Sequence, residues 1–310
     1  MYVPTNGHKH GRASDAQGHM TFRLGGTTEI PRLGFGAMHL PGRVGRGTRP
    51  ADRRSSVQVA RAAVDLGVRH IDTAAFYRVG TTGANEILRE ALEPYPSDLT
   101  IATKVGPLFP APGQPMVSAA PGRLRALVEE NLEQLGVNVL DLVYLRVGEP
   151  DSLAERFATL DELRVEGLIR HLGVSAVTLD QLQEARTIAP VAAVQNLFGV
   201  FDQSDAAIVD ACADAGIAFM PYFALGGGRA TPNREVLHEI AVRHGATPRQ
   251  VALAWGLHRS PTLVQIVGTS SVTHLSENME ARHLELSRED MALLTDKEVD
   301  GEADSGGGRL

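Results

Sequence analysis

The chain has 310 residues, of which 43% are hydrophobic and 22% are charged, so it can bury a full core as one large barrel or as two smaller domains. Its formal net charge of -7 excludes the basic surface that binds nucleic acid or an anionic membrane. No apolar stretch reaches the roughly 18 residues of a membrane span, so the composition indicates a protein that acts on a small molecule.

The cysteine content and the N-terminus bear on location. The single cysteine, Cys212 in AIVDACADAG, has the helical spacing of a buried structural thiol and forms no internal disulfide, which is compatible with a reducing compartment. The N-terminal segment has no apolar run of the kind found in secretory signals. We therefore expect a cytoplasmic protein.

Both ends of the chain predict disordered tails. Residues 1–19 lack hydrophobic periodicity, and residues 299–310 are rich in Gly and polar residues, so the folded domain is expected over 20–298. Met20 is a candidate alternative start. His8 and His10 have no accompanying carboxylate or cysteine cluster, so no metal site is predicted.

Short apolar runs alternate with amphipathic segments along the folded part. In chain order the runs are LGFGAM (33–38), VRHID (68–72), LTIATK (99–104), LDLVYLR (140–146), RHLGVS (170–175), VAAVQN (191–196), IAFMPY (217–222) and LVQIVGT (263–269). Eight strands, each followed by a helix, predict a closed parallel (β/α)8 TIM barrel in a single domain. A doubly wound sheet is the alternative, but no strand runs into a G-x-G-x-x-G turn.

The amphipathic segments carry recognisable helix starts and stops. Pro121 opens one helix and Gly136 closes it. Capping boxes are predicted at four further starts, formed by Ser55 with Gln58, Ser152 with Glu155, Thr178 with Gln181, and Thr247 with Gln250.

Charged and phenolic residues stand at or just after the ends of the apolar runs: Asp72, Tyr77, Lys104 and Arg146. Each has an ordinary explanation, because Asp72 could cap a helix, Lys104 could reach solvent from a rim, and Arg146 could form an ion pair. Their recurrence at successive strand ends favours one shared pocket. A Tyr beside a Lys and an Asp suits general acid catalysis, since an ammonium stabilises phenolate and lowers the phenol pKa.

In a closed barrel the strand ends meet at one mouth. The residues predicted to ring it are Gly36, Asp72, Lys104, Arg146, Ser175, Gln195, Tyr222 and Thr269. The glycine run 226–228 follows the seventh strand, where backbone amides could approach a phosphate, although a flexible loop explains it equally well.

Several segments resemble the aldo-keto reductases: HIDTAAFY, IATKVG, LEQLGVNVLDLVYLR, VEGLIRHLGVS, VAAVQN and VALAWGLHRSPTLVQIVGTSSVTHLSENM, over about residues 22–297. The resemblance implies a (β/α) barrel that binds NADP(H) across its mouth and transfers a hydride from the nicotinamide to an aldehyde or ketone. It implies Tyr77 as the general acid, Lys104 as the group that depresses the pKa of Tyr77, and Asp72 as the group that keeps Lys104 charged.

The resemblance also implies a cofactor site. Ser175 and Gln195 match residues that hold the carboxamide, Tyr222 matches the aromatic residue that stacks on the nicotinamide, and the loop from Leu225 matches the pyrophosphate lid. The full predicted set is Gly36, Ala37, Met38, Ser175, Gln195, Tyr222, Leu225, Gly227, Gly268, Thr269, His274, Glu277 and Asn278.

Four positions depart from the family pattern. Arg146 replaces the usual His, Ala176 an Asn, Gly268 a Lys and His274 an Arg. Losing the last two cations weakens the argument for a 2′-phosphate. NADPH is therefore predicted from the family resemblance more than from visible charge, and NADH stays open. A guanidinium is a fixed cation with a planar set of donors, so Arg146 is expected to supply orientation and charge.

A bacterial subgroup of the family shares the Leu-Arg ending of strand four and resembles NEILREALEPYPSDLTIATKVG and MPYFALGGG of this chain. Pyridoxal reductases belong to it, and the ring oxygen of pyridoxal could pair with Arg146. The resemblance makes pyridoxal, reduced to pyridoxine, the leading substrate. The alternatives are a reductase of other aldehydes or ketones and an NADP(H)-binding regulatory barrel with little turnover, against which the intact Asp72, Tyr77 and Lys104 argue.

Overall fold

The computed structural model describes residues 20–43, 49–109, 116–148, 151–226 and 234–295. The predicted tails, 1–19 and 299–310, lie outside these ranges, as does Gly227.

Eight parallel strands form one sheet within the described residues. They are β1 (Leu33–Gly36), β2 (His70–Asp72), β3 (Thr100–Val105), β4 (Leu140–Arg146), β5 (Ile169–Ser175), β6 (Val191–Gln195), β7 (Ala218–Phe219) and β8 (Gln265–Gly268). Their order across the sheet is β7-β6-β5-β4-β3-β2-β1-β8.

The two outer strands of this order also meet. Phe219 of β7 pairs in parallel with Leu263, just before β8. The Phe219 amide donates to the Thr262 carbonyl at 2.9 Å, and the Val264 amide donates to the Phe219 carbonyl at 2.9 Å. These bonds close the sheet, so the predicted (β/α)8 barrel is confirmed.

The core has two layers, one inside the barrel and one between the strands and the helices, so the strands are covered on both faces. Residues of β3 and β6 are buried along their whole length, as expected of parallel strands covered on both faces. Inside the barrel, side chains such as Leu142, Tyr144 and Met220 pack together with Leu24 and Ile30. Leu24 and Ile30 belong to an antiparallel hairpin, Thr21–Leu24 with Thr28–Pro31, which therefore fills one end of the barrel.

Ten α-helices surround the strands in the part of the chain that is described. They are α1 (Arg53–Asp65), α2 (Ala84–Leu92), α3 (Pro121–Leu135), α4 (Ala154–Val165), α5 (Leu179–Ile188), α6 (Ala206–Ala215), α7 (Arg234–His244), α8 (Pro248–Arg259), α9 (Val272–Met279) and α10 (Arg288–Thr295). Cys212 on α6 is buried, as predicted. Within the described ranges, no helix is long and apolar enough to span a bilayer.

Some of the predicted helix starts are correct. Pro121 begins α3, and Gly136 ends it in a left-handed conformation with φ 69°. The capping boxes of Thr178 with Gln181 and of Thr247 with Gln250 are both present.

The other two capping boxes are wrong. Helix α1 begins earlier than Ser55, because Asp52 is its N-cap and accepts from the Ser55 amide at 2.9 Å. Helix α4 follows Leu153, which makes no side-chain cap bond. The Ser152 hydroxyl donates to Glu184 Oε1 at 2.5 Å and accepts from the Ala154 amide at 3.2 Å, so it bonds within the first turn without forming the predicted box with Glu155.

Candidate active site

The strand register brings the predicted residues to one level of the barrel. Gly268 of β8 pairs with Gly36 of β1, which pairs with Asp72 of β2. On the other side, Arg146 of β4 pairs with Ser175 of β5, which pairs with Gln195 of β6. Because all eight strands run parallel, these C-terminal residues share the mouth of the barrel.

Asp72 and Lys104 form a buried ion pair at this mouth. Lys104 Nζ donates to Asp72 Oδ1 at 2.6 Å and to the Thr73 carbonyl at 3.0 Å, and each of the two charged residues is only 3% exposed. Burial lowers the pKa of Lys104, but the charges and hydrogen bonds of Asp72 and Tyr77 outweigh it and leave the pKa raised. Lys104 therefore carries its charge inside the protein.

Tyr77 lies beside this pair in the loop after β2. Lys104 Nζ is 4.9 Å from the centroid of the Tyr77 ring. Burial raises the pKa of the Tyr77 phenol, while the charge of Lys104 lowers it, that of Asp72 raises it and that of Arg146 lowers it. The net direction is upward. Lys104 acts in the predicted direction but does not overcome burial.

Arg146 lies between a hydroxyl and an aromatic ring. Its Nη1 donates to Ser175 Oγ at 3.4 Å, and its Cζ is 5.4 Å from the centroid of the Tyr222 ring. Tyr222 in turn meets Phe223 edge to face at 5.5 Å. A guanidinium over an aromatic face is an attractive arrangement that also fixes the cation.

A cavity of about 140 Å³ opens at the mouth. Predicted residues that line it are Gly36, Met38, Asp72, Tyr77, Gln195, Tyr222, Leu225 and Gly268. His39, Phe223, Ala224 and Ile266 line it as well and were not predicted. Three of these four adjoin predicted residues in the sequence, which is the signal that could have found them; Ile266 lies two residues before Gly268.

The predicted residues of the adenosine end lie beyond the cavity, just after β8 and on α9. Thr269 Oγ1 accepts from the Ser271 amide at 3.1 Å, and Ser271 Oγ accepts from the His274 amide at 3.3 Å. His274 and Glu277 are exposed on α9, while Asn278 is buried. The loop at the N-terminus of α9 thus presents hydroxyls, amides and the positive end of a helix, which suit a phosphate.

Ala37 and Ser175 are fully buried next to the mouth and do not line the cavity. Gly227, the remaining predicted cofactor residue, lies outside the described ranges. Among the residues described, no group of three or more His, Cys, Asp or Glu side chains could hold a metal ion.

Two non-glycine residues near the mouth have left-handed backbones, Ala176 and Phe223, each with φ 57°. The resemblance places an Asn at the position of Ala176, and Asn is a residue that tolerates this conformation. Phe223 is 39% exposed and lines the cavity. The strained turn therefore holds an aromatic ring at the edge of the cleft.

Comparisons with known proteins agree with this geometry. Residues 32–298 match the model of the Aldo/keto reductase family. Pyridoxine 4-dehydrogenase of Escherichia coli (strain K12) is 45% identical over 282 residues, which cover 88% of this chain and 96% of that protein.

Solved structures are similar too. A thermostable aldo-keto reductase in complex with the inhibitor epalrestat superposes with a TM-score of 0.78 at 29% identity, covering 88% of this chain and 98% of that one. An aldo/keto reductase from Klebsiella pneumoniae in complex with NADP and acetate gives a TM-score of 0.74 at 25% identity, covering 89% and 94%. With its closed barrel, its mouth residues and a family match over most of its length, the chain belongs to the aldo/keto reductase family.

Proposed function

We propose that the chain is an NADPH-dependent reductase that converts an aldehyde or ketone to an alcohol. The observation that carries the proposal is the position of Tyr77, which lines the cavity and lies 4.9 Å (ring centroid) from the buried ammonium of Lys104. A phenol next to a fixed cation can donate a proton and leave a stabilised phenolate.

The residues of the mouth fit a nicotinamide cofactor. Tyr222 offers an aromatic face and Gln195 a polar side chain to the cavity, and Gly36 and Gly268 leave room because they lack side chains. The Klebsiella pneumoniae relative binds NADP in the same fold. When bound, NADPH supplies the hydride.

The chain's own residues supply the proton. Tyr77 donates its phenolic proton to the carbonyl oxygen as negative charge develops there, and Lys104 stabilises the phenolate that remains. Asp72 keeps the ammonium of Lys104 charged and in place. Arg146 holds a hydrogen-bonding or anionic edge of the substrate beside the reacting carbon.

Pyridoxal, reduced to pyridoxine, is the substrate we propose. The Escherichia coli relative is named pyridoxine 4-dehydrogenase, after the alcohol that this reduction would form. The mouth also suits a flat ring with an anionic oxygen, because Phe76 meets Tyr77 edge to face at 5.2 Å and lies 5.7 Å from Phe109. Phe109 is 56% exposed. Phe76 and Phe109 therefore form an aromatic surface beside Tyr77, the aromatic ledge, and the cation Arg146 lies near Tyr222.

The cytoplasm is the location we propose. Cys212 is buried, and burial raises the pKa of its thiol to about 12. With one cysteine the chain forms no internal disulfide, which is compatible with a reducing compartment.

The test is to mix the purified protein with NADPH and a panel of aldehydes that includes pyridoxal, and to follow the oxidation of NADPH. The matched control is Tyr77→Phe, which removes only the phenolic hydroxyl. We expect turnover by the wild type and a loss of about 10²- to 10⁴-fold in the variant, with NADPH binding retained. Tight NADPH binding without turnover of any aldehyde would contradict the proposal and favour a regulatory barrel.

A further inference from the structure

Lys104 is held by more than its ion pair. Its ammonium donates to the backbone carbonyl of Thr73 at 3.0 Å, and Thr73 directly follows Asp72. The Thr73 hydroxyl points elsewhere, donating to Asn85 Oδ1 on α2 at 2.8 Å. The carbonyl that accepts from Lys104 therefore belongs to Thr73, whose side chain is held by the side-chain amide of Asn85.

A second helix continues the contact. Asn85 Nδ2 donates to Asn131 Oδ1 on α3 at 3.1 Å, and the same Asn131 oxygen accepts from the Thr103 hydroxyl at 2.5 Å. Thr103 is the residue before Lys104. These hydrogen bonds link Lys104 to Thr73, Asn85, Asn131 and Thr103, and the peptide bond from Thr103 to Lys104 closes the loop. We call these four residues the circuit.

The four residues of the circuit are buried, and their polar side-chain groups have hydrogen-bond partners. Thr73, Thr103 and Asn85 are 0% exposed, and Asn131 is 1% exposed. Asn131 Nδ2 donates to the Leu127 carbonyl at 2.8 Å, and Asn85 Nδ2 has a further acceptor in Gln134 Oε1 at 3.1 Å. In a low-dielectric interior such a network is stiff, because breaking one bond leaves buried polar groups without partners.

We propose that Asn85 and Asn131 are positioning residues that fix the ammonium of Lys104 beside Tyr77 by holding Thr73 and Thr103 on either side of it. The inference rests on the proposed role of Tyr77 as proton donor. The effect of the lysine charge on the phenol depends on their separation, and the circuit sets that separation from the helix side while Asp72 sets it from the barrel side.

The test measures the proton donor directly. The variants are Asn131→Ala, which removes the shared acceptor, and Thr73→Val, which removes one hydroxyl and keeps the carbonyl. Thr73→Ser keeps the hydroxyl and is the conservative rescue. The control is Asp290→Asn, a buried capping residue of α10 bonded to Ser287 and His244, which shares no partner with the circuit.

For Asn131→Ala and Thr73→Val we expect kcat to fall by about 5- to 100-fold, since small displacements of catalytic groups cost this much, with little change in the KM for NADPH. The alkaline limb of kcat/KM should move to higher pH as the lysine charge leaves the phenol. Thr73→Ser should restore both values. Asp290→Asn should lower Tm without moving kcat or the limb.

The charged groups that act on Tyr77 are Lys104, Asp72 and Arg146. None of the three is substituted in these variants, and it is the ammonium of Lys104 that bonds to the carbonyl of Thr73. His70, which couples to Asp72 and Lys104, stays neutral because burial lowers its pKa to about 4. A shift of the alkaline limb therefore reports on Lys104.

Wild-type kcat and an unmoved limb in a folded Thr73→Val variant would overturn the inference and leave the circuit a purely structural one. If Asn131→Ala fails to fold, the Thr73→Val and Thr73→Ser pair decides alone. If Tyr77→Phe turned over as fast as the wild type, the proposed function would be overturned as well. Failure of the proposed function and failure of this inference are therefore distinguishable.

Discussion

Gln195 donates a hydrogen bond from Nε2 to Asp72 Oδ2 at 2.8 Å, while the other oxygen of Asp72 accepts from Lys104 at 2.6 Å. The carboxylate is thus held from both sides in the barrel interior. The residue expected to hold the cofactor carboxamide therefore also binds the carboxylate that pairs with Lys104.

This double role predicts the behaviour of Gln195→Leu. Removing the amide leaves one oxygen of a buried carboxylate without its donor, which should destabilise the fold by about 1–3 kcal/mol and lower kcat in addition to weakening NADPH binding. Stopped-flow turnover, fluorescence titration of NADPH and thermal unfolding measure the three effects. Ser175→Ala is the matched control, because Ser175 bonds to Arg146 and not to Asp72. A Gln195→Leu variant with weaker NADPH binding and normal kcat would show that the contact with Asp72 is dispensable.

The pKa of Tyr77 predicts the alkaline side of the pH profile. Burial raises this pKa above its usual value of about 10, and the donor must be protonated, so kcat/KM should stay level through neutral pH and fall only under strongly alkaline conditions. Lys104 lowers the same pKa, so Lys104→Met should move the fall to still higher pH and reduce kcat.

The control is the double variant Lys104→Met with Asp72→Asn, which avoids leaving a buried carboxylate alone. Since the Asp72 charge raises the pKa of Tyr77, the double variant should lie between the wild type and Lys104→Met. An alkaline limb that moves to lower pH in Lys104→Met would contradict the assignment of the limb to Tyr77.

Strand positions and mouth residues could be predicted from the sequence because a parallel barrel forces both. Apolar runs fix the strands, and residues such as Lys104 and Arg146 at their ends can only point into the shared mouth or its rim. The exact limits were harder: the run at 217–222 yields only a two-residue strand, Ala218–Phe219.

What the sequence could not show depends on tertiary contacts. Asn85 and Asn131 occur at ordinary helix positions, and nothing local indicates that their amides meet behind Lys104. The pattern identifies the charges around Tyr77 but not the burial that dominates its pKa.

Gly268 offers a test of cofactor choice. A Cβ at this position would meet His39 Cδ2 at 3.5 Å and the Gly36 carbonyl at 3.6 Å, which are ordinary contacts, so Gly268→Lys should fold. A lysine there should raise the preference for NADPH over NADH by roughly 1 kcal/mol, through attraction to the 2′-phosphate. Titration of both cofactors against wild type, Gly268→Lys and the uncharged Gly268→Gln measures it. An unchanged ratio in Gly268→Lys would mean that the 2′-phosphate lies elsewhere.

Arg146 provides the sharpest test of the substrate. A guanidinium stays charged at every accessible pH, and this one is fixed by Ser175 Oγ and lies 5.4 Å from the ring centroid of Tyr222. Arg146→Ala should therefore depress kcat/KM most for an aldehyde with an anionic oxygen nearby, pyridoxal first, and much less for a neutral aromatic aldehyde. The selective loss should be about 1.5–3 kcal/mol, the value of one charge-assisted contact.

The measurement is the ratio of kcat/KM for the two aldehydes, compared between wild type and variant, which cancels any general loss of activity. Arg146→Lys separates charge from shape: it keeps the cation but loses the planar pair of donors, so an intermediate ratio would indicate that orientation matters as well as charge. Equal losses for both aldehydes would instead place Arg146 in the shared chemistry at the carbonyl. The preference for pyridoxal would then lack its electrostatic basis and would depend on the aromatic ledge of Phe76 and Phe109 alone.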